Sequence, residues 1–221
     1  HPVSVQSVSN MAGEWLVKTN AGEERARSLV MATGGLPVPA IGATAYSLDI
    51  AKQFGLKIVD PRPALVPLSF TSSEFDNLIE LSGLSLPVRI AAGSKGKRYG
   101  ACRFNEDLLL THKGLSGPAV LQASSYWAEG EEIHVDWLGA VEAHGQFSCD
   151  ELFNHEDNRL KLTENILASV MPLRLAKAFA EQKNLLGKKW AEVSKKDRHS
   201  LKELITNWSV KPAGTLGWKK A

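Results

Sequence analysis

The hydrophobic pattern divides the chain into a β-rich first part and a helical last part. Residues 3–8 alternate apolar and polar side chains, and residues 14–19 follow after a turn, which predicts an antiparallel β-meander. Residues 28–35 differ, because four consecutive apolar residues stop at Thr-Gly-Gly. Such a run is typical of a strand buried on both faces of a parallel sheet. We therefore expect the meander to lead into a buried strand that ends at Gly35.

A helix, a short strand and a proline-rich connection are predicted next. The helix covers residues 44–54, with Thr44 as its N-cap and Gly55 just beyond its end. Residues 57–60 are predicted to form a strand. The prolines at 61, 63 and 67 cannot lie inside a helix or a central strand, so we place a domain boundary after residue 61.

The sequence after this boundary predicts both strands and helices. Strands are predicted over 86–92, 101–104, 108–111 and 132–138. Helices are predicted over 73–81, with Phe75, Leu78 and Ile79 on the buried side, and over 118–127. Residues 62–149 are therefore interpreted as a β-rich subdomain.

The remaining sequence has helical spacing almost throughout. Helices are predicted over 160–171 and 173–184, and Asp197 is expected to cap a last helix. We interpret residues 150–209 as a helical subdomain and 210–221 as a strand that returns toward the first domain. The fold class is α+β, with an α/β portion in residues 1–61.

Composition narrows the function classes. The chain has 221 residues, 43% of them hydrophobic, and a formal net charge of +2, so nucleic acid is not the expected main partner. No apolar run approaches the roughly 20 residues of a membrane-spanning helix, and no secretory leader is visible. Cys102 and Cys149 lack metal or redox spacing, so we expect reduced thiols in a cytoplasmic protein. The six His are scattered, and no metal site is predicted.

Two Gly-containing stretches are candidates for ligand binding. Gly34 and Gly35 would stand at the end of the buried strand, where ligands bind in open α/β sheets. Residues 111–118 are predicted to connect a strand to a helix, where backbone amides can bind an anion and His112 could donate a proton. The alternatives are an ordinary turn after a buried strand and a connector whose glycines serve only its geometry.

A basic stretch at the expected tip of a hairpin is a third candidate. It contains Lys95, Lys97 and Arg98, which could bind phosphate or simply keep a sheet edge soluble. Neither a Gly-x-Ser-x-Gly elbow, a P-loop nor a Gly-x-Gly-x-x-Gly dinucleotide fingerprint is present, and no catalytic residue stands out.

Several motifs in order resemble one flavoprotein family. They are Met-Ala-Thr-Gly-Gly at 31–35, Arg-Pro-Ala-Leu-Val-Pro-Leu at 62–68, Leu-Thr-His-Lys-Gly-Leu-Ser-Gly-Pro at 110–118 and Met-Pro-Leu-Arg-Leu at 171–175. Their order and spacing are similar to those of the HI0933-like family of FAD-dependent oxidoreductases over nearly the whole chain.

The resemblance implies an FAD-binding, Rossmann-type domain interrupted by an insert, which consists of a β-barrel-like subdomain and a helical subdomain. It places Thr33, Gly34 and Gly35 beside FAD. The residues Thr111, His112, Gly114, Ser116 and Gly117 are expected to face the flavin or the substrate. Because the dinucleotide fingerprint is missing, we interpret the chain as a middle fragment that binds FAD weakly or not at all.

The expected activity of the parent protein is hydride transfer between NAD(P)H, flavin and a small organic acceptor, in which the cofactor does the chemistry. The alternative is a non-enzymatic RNA- or protein-interaction scaffold that uses the insert. The basic stretch and the lysines at 188, 189, 195 and 196 motivate that alternative. A third interpretation makes the helical subdomain a homodimerisation surface.

Overall fold

A computed structural model describes residues 3–71, 73–93, 102–139 and 148–221, without the side chains of 73 and 74. The chain separates into two compact units, His1–Arg62 and Pro63–Ala221. Lys95, Lys97 and Arg98 lie outside the described residues. Within the described part, no helix is long and apolar enough to cross a membrane.

The first unit contains the predicted meander. Its strands are β1 (Val5–Met11), β2 (Glu14–Thr19) and β3 (Gly22–Ala26), which pair antiparallel in that order. Helix α1 (Tyr46–Gln53) packs on the meander: the Gln53 side-chain amide donates to the Val8 carbonyl at 2.7 Å, and Trp15 meets Phe54 edge-to-face at 4.9 Å. The Thr44 hydroxyl accepts from the Tyr46 N–H at 3.4 Å, although Ala45 is the N-cap.

Two strands predicted in this unit do not form. Residues 28–35 and 57–60 are irregular, and Val30 and Val59 are 82% and 83% exposed. A strand buried on both faces needs hydrogen-bonded neighbours and covering elements, and no strand among the described residues pairs with either segment. Of the unit's described hydrophobic side chains, only Val8 and Ile50 are buried.

The second unit is built on a seven-stranded antiparallel sheet. Its strands are β4 (Leu68–Ser69), β5 (Ser85–Ala92), β6 (Cys102–Thr111), β7 (Gly114–Ser116), β8 (Ile133–Asp136), β9 (Trp208–Val210) and β10 (Gly214–Thr215). The spatial order is β10-β4-β7-β6-β5-β8-β9. Strand β6 is continuous across the two strands predicted at 101–104 and 108–111. The last strand, β10, pairs with β4 within this sheet.

The sheet must curl into a barrel-like shape. If it were flat, its outer strands β9 and β10 would lie about 29 Å apart, since neighbouring strands are separated by about 4.8 Å. Only three residues separate Val210 from Gly214, and this connection spans at most about 14 Å. The two outer strands therefore approach each other, and the alternate residues Leu86, Val88, Ile90 and Ala92 of β5 face the enclosed core.

Two helices belong to the barrel part. Helix α2 (Ser73–Ile79) buries Phe75 and Leu78 as predicted, but Ile79 is 38% exposed. Helix α3 (Pro118–Ser124) begins with proline at its first position as predicted, and it ends before the expected residue 127.

The helical part is inserted between β8 and β9. It contains α4 (Cys149–Asn154), α5 (Thr163–Leu167), α6 (Leu173–Gln182) and α7 (Lys195–Thr206). Trp137 joins it to the sheet, because its backbone N–H donates to the Ile205 carbonyl at 2.9 Å and its ring centroid lies 5.5 and 5.4 Å from those of Phe179 and Trp208. Sheet and helices thus share one hydrophobic core.

Two predicted helix starts in this part are wrong. The helix expected from residue 160 begins only at Thr163, because the Lys161 carbonyl accepts from the Trp190 N–H and Leu162 pairs with Lys189 in a β-bridge. At α7 the N-cap is Ser194 rather than Asp197: its hydroxyl accepts from the Asp197 N–H at 3.1 Å.

The stretch 111–118 is a β-hairpin followed by a helix, not a simple strand–helix loop. Strand β7 pairs with β6 and β4 inside it, and Leu115 is fully buried. A Cβ on Gly114 would lie 2.0 Å from the Leu68 carbonyl oxygen, and one on Gly117 would lie 2.6 Å from the Asp107 carbonyl oxygen. Both glycines therefore let neighbouring backbones approach closely.

We predict that residues 63–221 fold without residues 1–62, because the described hydrophobic core cluster lies entirely in the second unit. The shortened protein should keep a cooperative thermal transition within a few degrees of the complete chain, measured by circular dichroism. A broad, non-cooperative melt would contradict this independence.

Gly117→Ala should destabilise the protein more than Gly130→Ala. The two glycines have nearly the same φ, 89° and 88°, but nothing lies within 4 Å of a Cβ on Gly130. The control substitution therefore costs only the left-handed backbone strain of about 1–2 kcal/mol, whereas Gly117→Ala adds a backbone clash of about 1–3 kcal/mol. Urea titration measures the free energy of unfolding of both variants. Equal values for Gly117→Ala and Gly130→Ala would show that β6 shifts to make room for the new methyl group.

Candidate functional site

The segment predicted to contact a cofactor in the first unit is open. Thr33, Gly34 and Gly35 are exposed, and nothing lies within 4 Å of a Cβ on Gly34. These residues alone do not enclose a group of the size of FAD. No group of three or more His, Cys, Asp or Glu side chains in the described ranges could hold a metal ion.

The second predicted set lies in the other unit, at the β6–β7 hairpin. The Thr111 hydroxyl donates to the Gly114 carbonyl at 2.9 Å and accepts from the Lys113 N–H at 3.3 Å, so it closes the turn. His112 and Lys113 are exposed at the tip, and Ser116 stands opposite Leu109 in the ladder. Thr111, Gly114 and Gly117 thus have structural roles that account for them, and His112 remains the one exposed titratable group of the set.

A groove of about 660 Å³ lies on the outer face of the barrel. Its floor follows from the register of three strands: Ala91 of β5 stands between Arg103 of β6 and His134 of β8. Facing residues in neighbouring strands project to the same side, so these side chains form one outward row. Thr206 and Asn207, at the end of α7, line the same groove.

Arg89 lies on β5 two residues before Ala91, in the next outward-facing row, and several partners hold its side chain. Its guanidinium donates to the Gly139 carbonyl at 2.8 Å and to the Asn105 side chain at 3.2 Å, and it lies 3.5 Å from the Asp136 carboxylate. A Cβ on Gly139 would come within 2.5 Å of the Asp136 carboxylate, so the absent side chain allows this packing. These three neighbours fix the position of the Arg89 side chain at the edge of the groove.

Sequence reasoning did not single out the groove residues. The alternation of Ile133, Val135 and Trp137 predicts that they face the core, and the same period places His134 and Asp136 on the outer face. The pairing that sets Arg103 beside Ala91 and His134 joins residues distant in the sequence, so a local pattern could not reveal it.

A strongly basic segment, residues 183–202, joins α6 to α7 and includes the start of α7. It holds seven of the chain's 26 Lys and Arg but two of its 24 acidic residues, a net charge of +5 against +2 for the whole chain. Lys188, Lys189, Lys195 and Lys196 are exposed. Within the described part of the chain, Lys188, Lys195 and Lys196 make no ion pair.

The backbone of the basic segment is held in place. The Lys188 carbonyl accepts from the Thr163 N–H at 3.0 Å, and the Trp190 indole N–H donates to the Phe153 carbonyl at 2.8 Å. The Arg198 guanidinium stacks over the Trp190 ring at 4.6 Å from its centroid. The lysines therefore project from a fixed surface.

Comparison with known proteins identifies relatives along most of the chain. A protein named ribosomal RNA dihydrouridine synthase from Haemophilus influenzae is 36% identical over 210 residues, which cover 94% of this chain and 49% of that protein. A protein of the same name from Escherichia coli is 36% identical over 193 residues, covering 87% of this chain and 46% of that protein. The chain spans about half the length of these curated relatives.

The second unit also matches a family description. Residues 62–221 match the family described as HI0933-like protein barrel and H2TH domain. The curled antiparallel sheet and the helical insertion between β8 and β9 agree with a barrel followed by helices. The chain belongs to the HI0933-like family.

Proposed function

We propose that this chain is part of an enzyme that reduces uridine to dihydrouridine in ribosomal RNA, and that residues 63–221 contact the RNA. The proposal is supported by the names of the two relatives, which match 94% and 87% of this chain. The RNA substrate proposed here differs from the small organic acceptor expected from the sequence. The proposal combines two interpretations of the sequence, an oxidoreductase and a protein that interacts with RNA.

The reaction saturates the C5–C6 bond of uracil, which requires a hydride equivalent and a proton. The family resemblance implies reduced FAD as the hydride donor, with NAD(P)H as its reductant. Thr33, Gly34 and Gly35 stay the residues expected beside that cofactor, and the role proposed for residues 63–221 is to bind and position RNA.

The observation that carries this role is the basic segment, residues 183–202. RNA binding depends on cations that neutralise phosphates, and a fixed surface loses little conformational entropy when it binds. The two acidic residues of the segment keep their charge, although Asp197 accepts from the Ser194 hydroxyl at 2.7 Å and Glu192 accepts from the Lys189 N–H at 3.2 Å. The seven Lys and Arg outnumber them, so the segment presents a net charge of +5.

Two lysines of the basic segment stand where their charge does not stabilise the fold, which favours a role in binding RNA. Lys195 and Lys196 occupy the first turn of α7, where the helix dipole makes positive charge unfavourable. Their removal should leave the fold unchanged or slightly stabilised, so a loss of RNA affinity would not arise from unfolding.

Lys195→Gln combined with Lys196→Gln should weaken binding to ribosomal RNA and lower the slope of log K against log salt by about 1.4, since each contact to single-stranded RNA contributes about 0.7. Filter binding over a salt series measures both quantities. Lys52→Gln combined with Lys57→Gln removes the same charge from exposed sites of the first unit and is the matched control. Equal effects of the two pairs would reject a specific RNA surface.

The enzymatic part of the proposal is tested with the full-length protein that contains this chain. Ribosomal RNA from cells lacking that protein should contain less dihydrouridine, as measured by mass spectrometry of nucleosides, and the wild-type gene should restore it. An unchanged dihydrouridine content would rule out this activity. It would favour the alternative expected from the sequence, in which the enzyme reduces a small organic molecule.

A further inference from the structure

We propose that the open edge of strand β6 pairs antiparallel with the same edge of a second copy of this chain, in the register that sets Arg103 of one copy opposite Asp107 of the other. The edge belongs to the seven-stranded sheet of the second unit. This inference does not depend on the proposed binding of RNA, because neither residue belongs to the basic segment.

The first half of β6 has a neighbouring strand on one side only. Strand β5 pairs with β6 from Cys102 to Leu109, whereas β7 pairs with it only from Leu109 to Thr111. Among the described residues, no strand pairs with the other edge of residues 103–107. The unpaired backbone of such an edge can accept a strand from another chain.

The direction of the backbone groups can be read from Leu110. Its N–H donates to the Leu84 carbonyl at 2.9 Å, and its carbonyl accepts from the Gly83 N–H at 2.8 Å, so both groups point to the β5 side. Successive residues of an antiparallel strand direct these groups to opposite neighbours. The odd-numbered residues of β6 therefore point away from β5.

Three residues thus direct their backbone groups to the open edge: Arg103, Asn105 and Asp107. Gly117 lies against the Asp107 carbonyl, so this oxygen is covered and the Asp107 N–H is the group that stays open there. In a pairing centred on Asn105, the Asn105 N–H donates to the Asn105 carbonyl of the second copy, and the Asp107 N–H donates to the Arg103 carbonyl.

The side chains of this edge favour that register. Arg103, Asn105 and Asp107 are exposed on the outer face, and facing side chains of opposite charge stabilise a strand pair. Centring the pairing on Asn105 forms two facing Arg103–Asp107 contacts, one on each side of the two-fold axis. Registers centred on Arg103, Glu106 or Asp107 would place two like charges opposite each other. A register centred on Phe104 would place Arg103 opposite the uncharged Asn105.

The other face of the edge is compatible with this register. Phe104 is half-buried, with its ring centroid 5.6 Å from that of Tyr126, and it would stand opposite Glu106 of the second copy. The two Glu106 side chains would be diagonal neighbours, which lie farther apart than a facing pair. The two facing contacts of opposite charge therefore outweigh one diagonal repulsion.

The dimer is expected to be reversible, because a short strand pairing buries less surface than a standard interface. The formal net charge of the chain, +2, opposes the approach of a second copy only slightly. The dimer population should thus rise with the protein concentration.

The first test reverses one charge at a time in the complete chain. Arg103→Asp and Asp107→Arg should each raise the dissociation constant of the dimer about tenfold, since both facing contacts then join like charges. The double variant restores opposite charges and should return the dissociation constant to within about twofold of the wild type. Analytical ultracentrifugation at concentrations up to about 1 mM measures these constants.

Glu106→Arg is the matched control for Asp107→Arg. It changes the charge by the same amount on the neighbouring residue, but Glu106 would face the uncharged Phe104. Its diagonal neighbour is the same residue of the second copy, so like charges meet there before and after the substitution. The dissociation constant should stay within about twofold of the wild type. Thermal melting of every variant shows whether it is folded.

A cysteine at the centre of the pairing tests the register itself. The Cα atoms of the two Asn105 residues would be about 5.5 Å apart, which is within the range that a disulfide bridges. Asn105→Cys, in a Cys102→Ser background that removes the neighbouring thiol, should give a covalent dimer on mild oxidation. Arg103→Cys in the same background should not, because the two copies of residue 103 would be about 14 Å apart.

A chain that stays monomeric up to about 1 mM and forms no Asn105→Cys disulfide would overturn the inference. A dimer that tolerates both single charge reversals would also overturn it, since it would use another surface. The full-length protein that contains this chain is tested in the same way, and a dimer formed by residues 1–221 alone would show that another segment covers the edge. Weakening by each reversal, rescue by the double variant and the symmetric disulfide would together establish the pairing.

Discussion

The architecture of residues 63–221 depends on the three-residue connection between β9 and β10. These strands occupy opposite ends of the seven-stranded sheet, so a short connection forces the sheet to curl. Curling encloses the apolar faces of β5 and β8 and turns their polar residues outward. Arg103, Ala91 and His134 form a row on the outer surface because the opposite faces of the same strands are buried in the core.

Local patterns predicted the elements whose own hydrophobic periodicity is regular. The hairpin pair β1 and β2, strand β5 and the buried face of α6 follow from periodicities of 2 and 3.6 residues. The motif-based family assignment was confirmed by the match over residues 62–221. The Rossmann-type character of residues 1–61 and the flavin-side roles of Thr33, Gly34 and Gly35 stay predictions.

Elements whose state depends on distant residues could not be predicted locally. The apolar run before Gly35 has the composition of a buried strand, but no described strand pairs with it, and Val30 is exposed. The start of α5 is delayed because the Lys161 carbonyl accepts from the Trp190 N–H, and Gly117 is required by its contact with the Asp107 carbonyl. Each case is decided by a contact outside the element itself, which hydrophobic periodicity does not encode.

The antiparallel pairing of β8 with β9 has a consequence for how this family can vary. Ile133 stands opposite Val210 and Val135 opposite Trp208, so the whole helical part leaves and re-enters the sheet at adjacent positions. In topological terms it is a single, very long hairpin loop. Because the entropic cost of closing a loop grows only slowly with its length, the length of the insertion adds little to the cost of pairing β8 with β9, and only the helix faces that pack on Trp137 are tied to the sheet. The outer surface of the helices can thus vary independently of the scaffold that carries them.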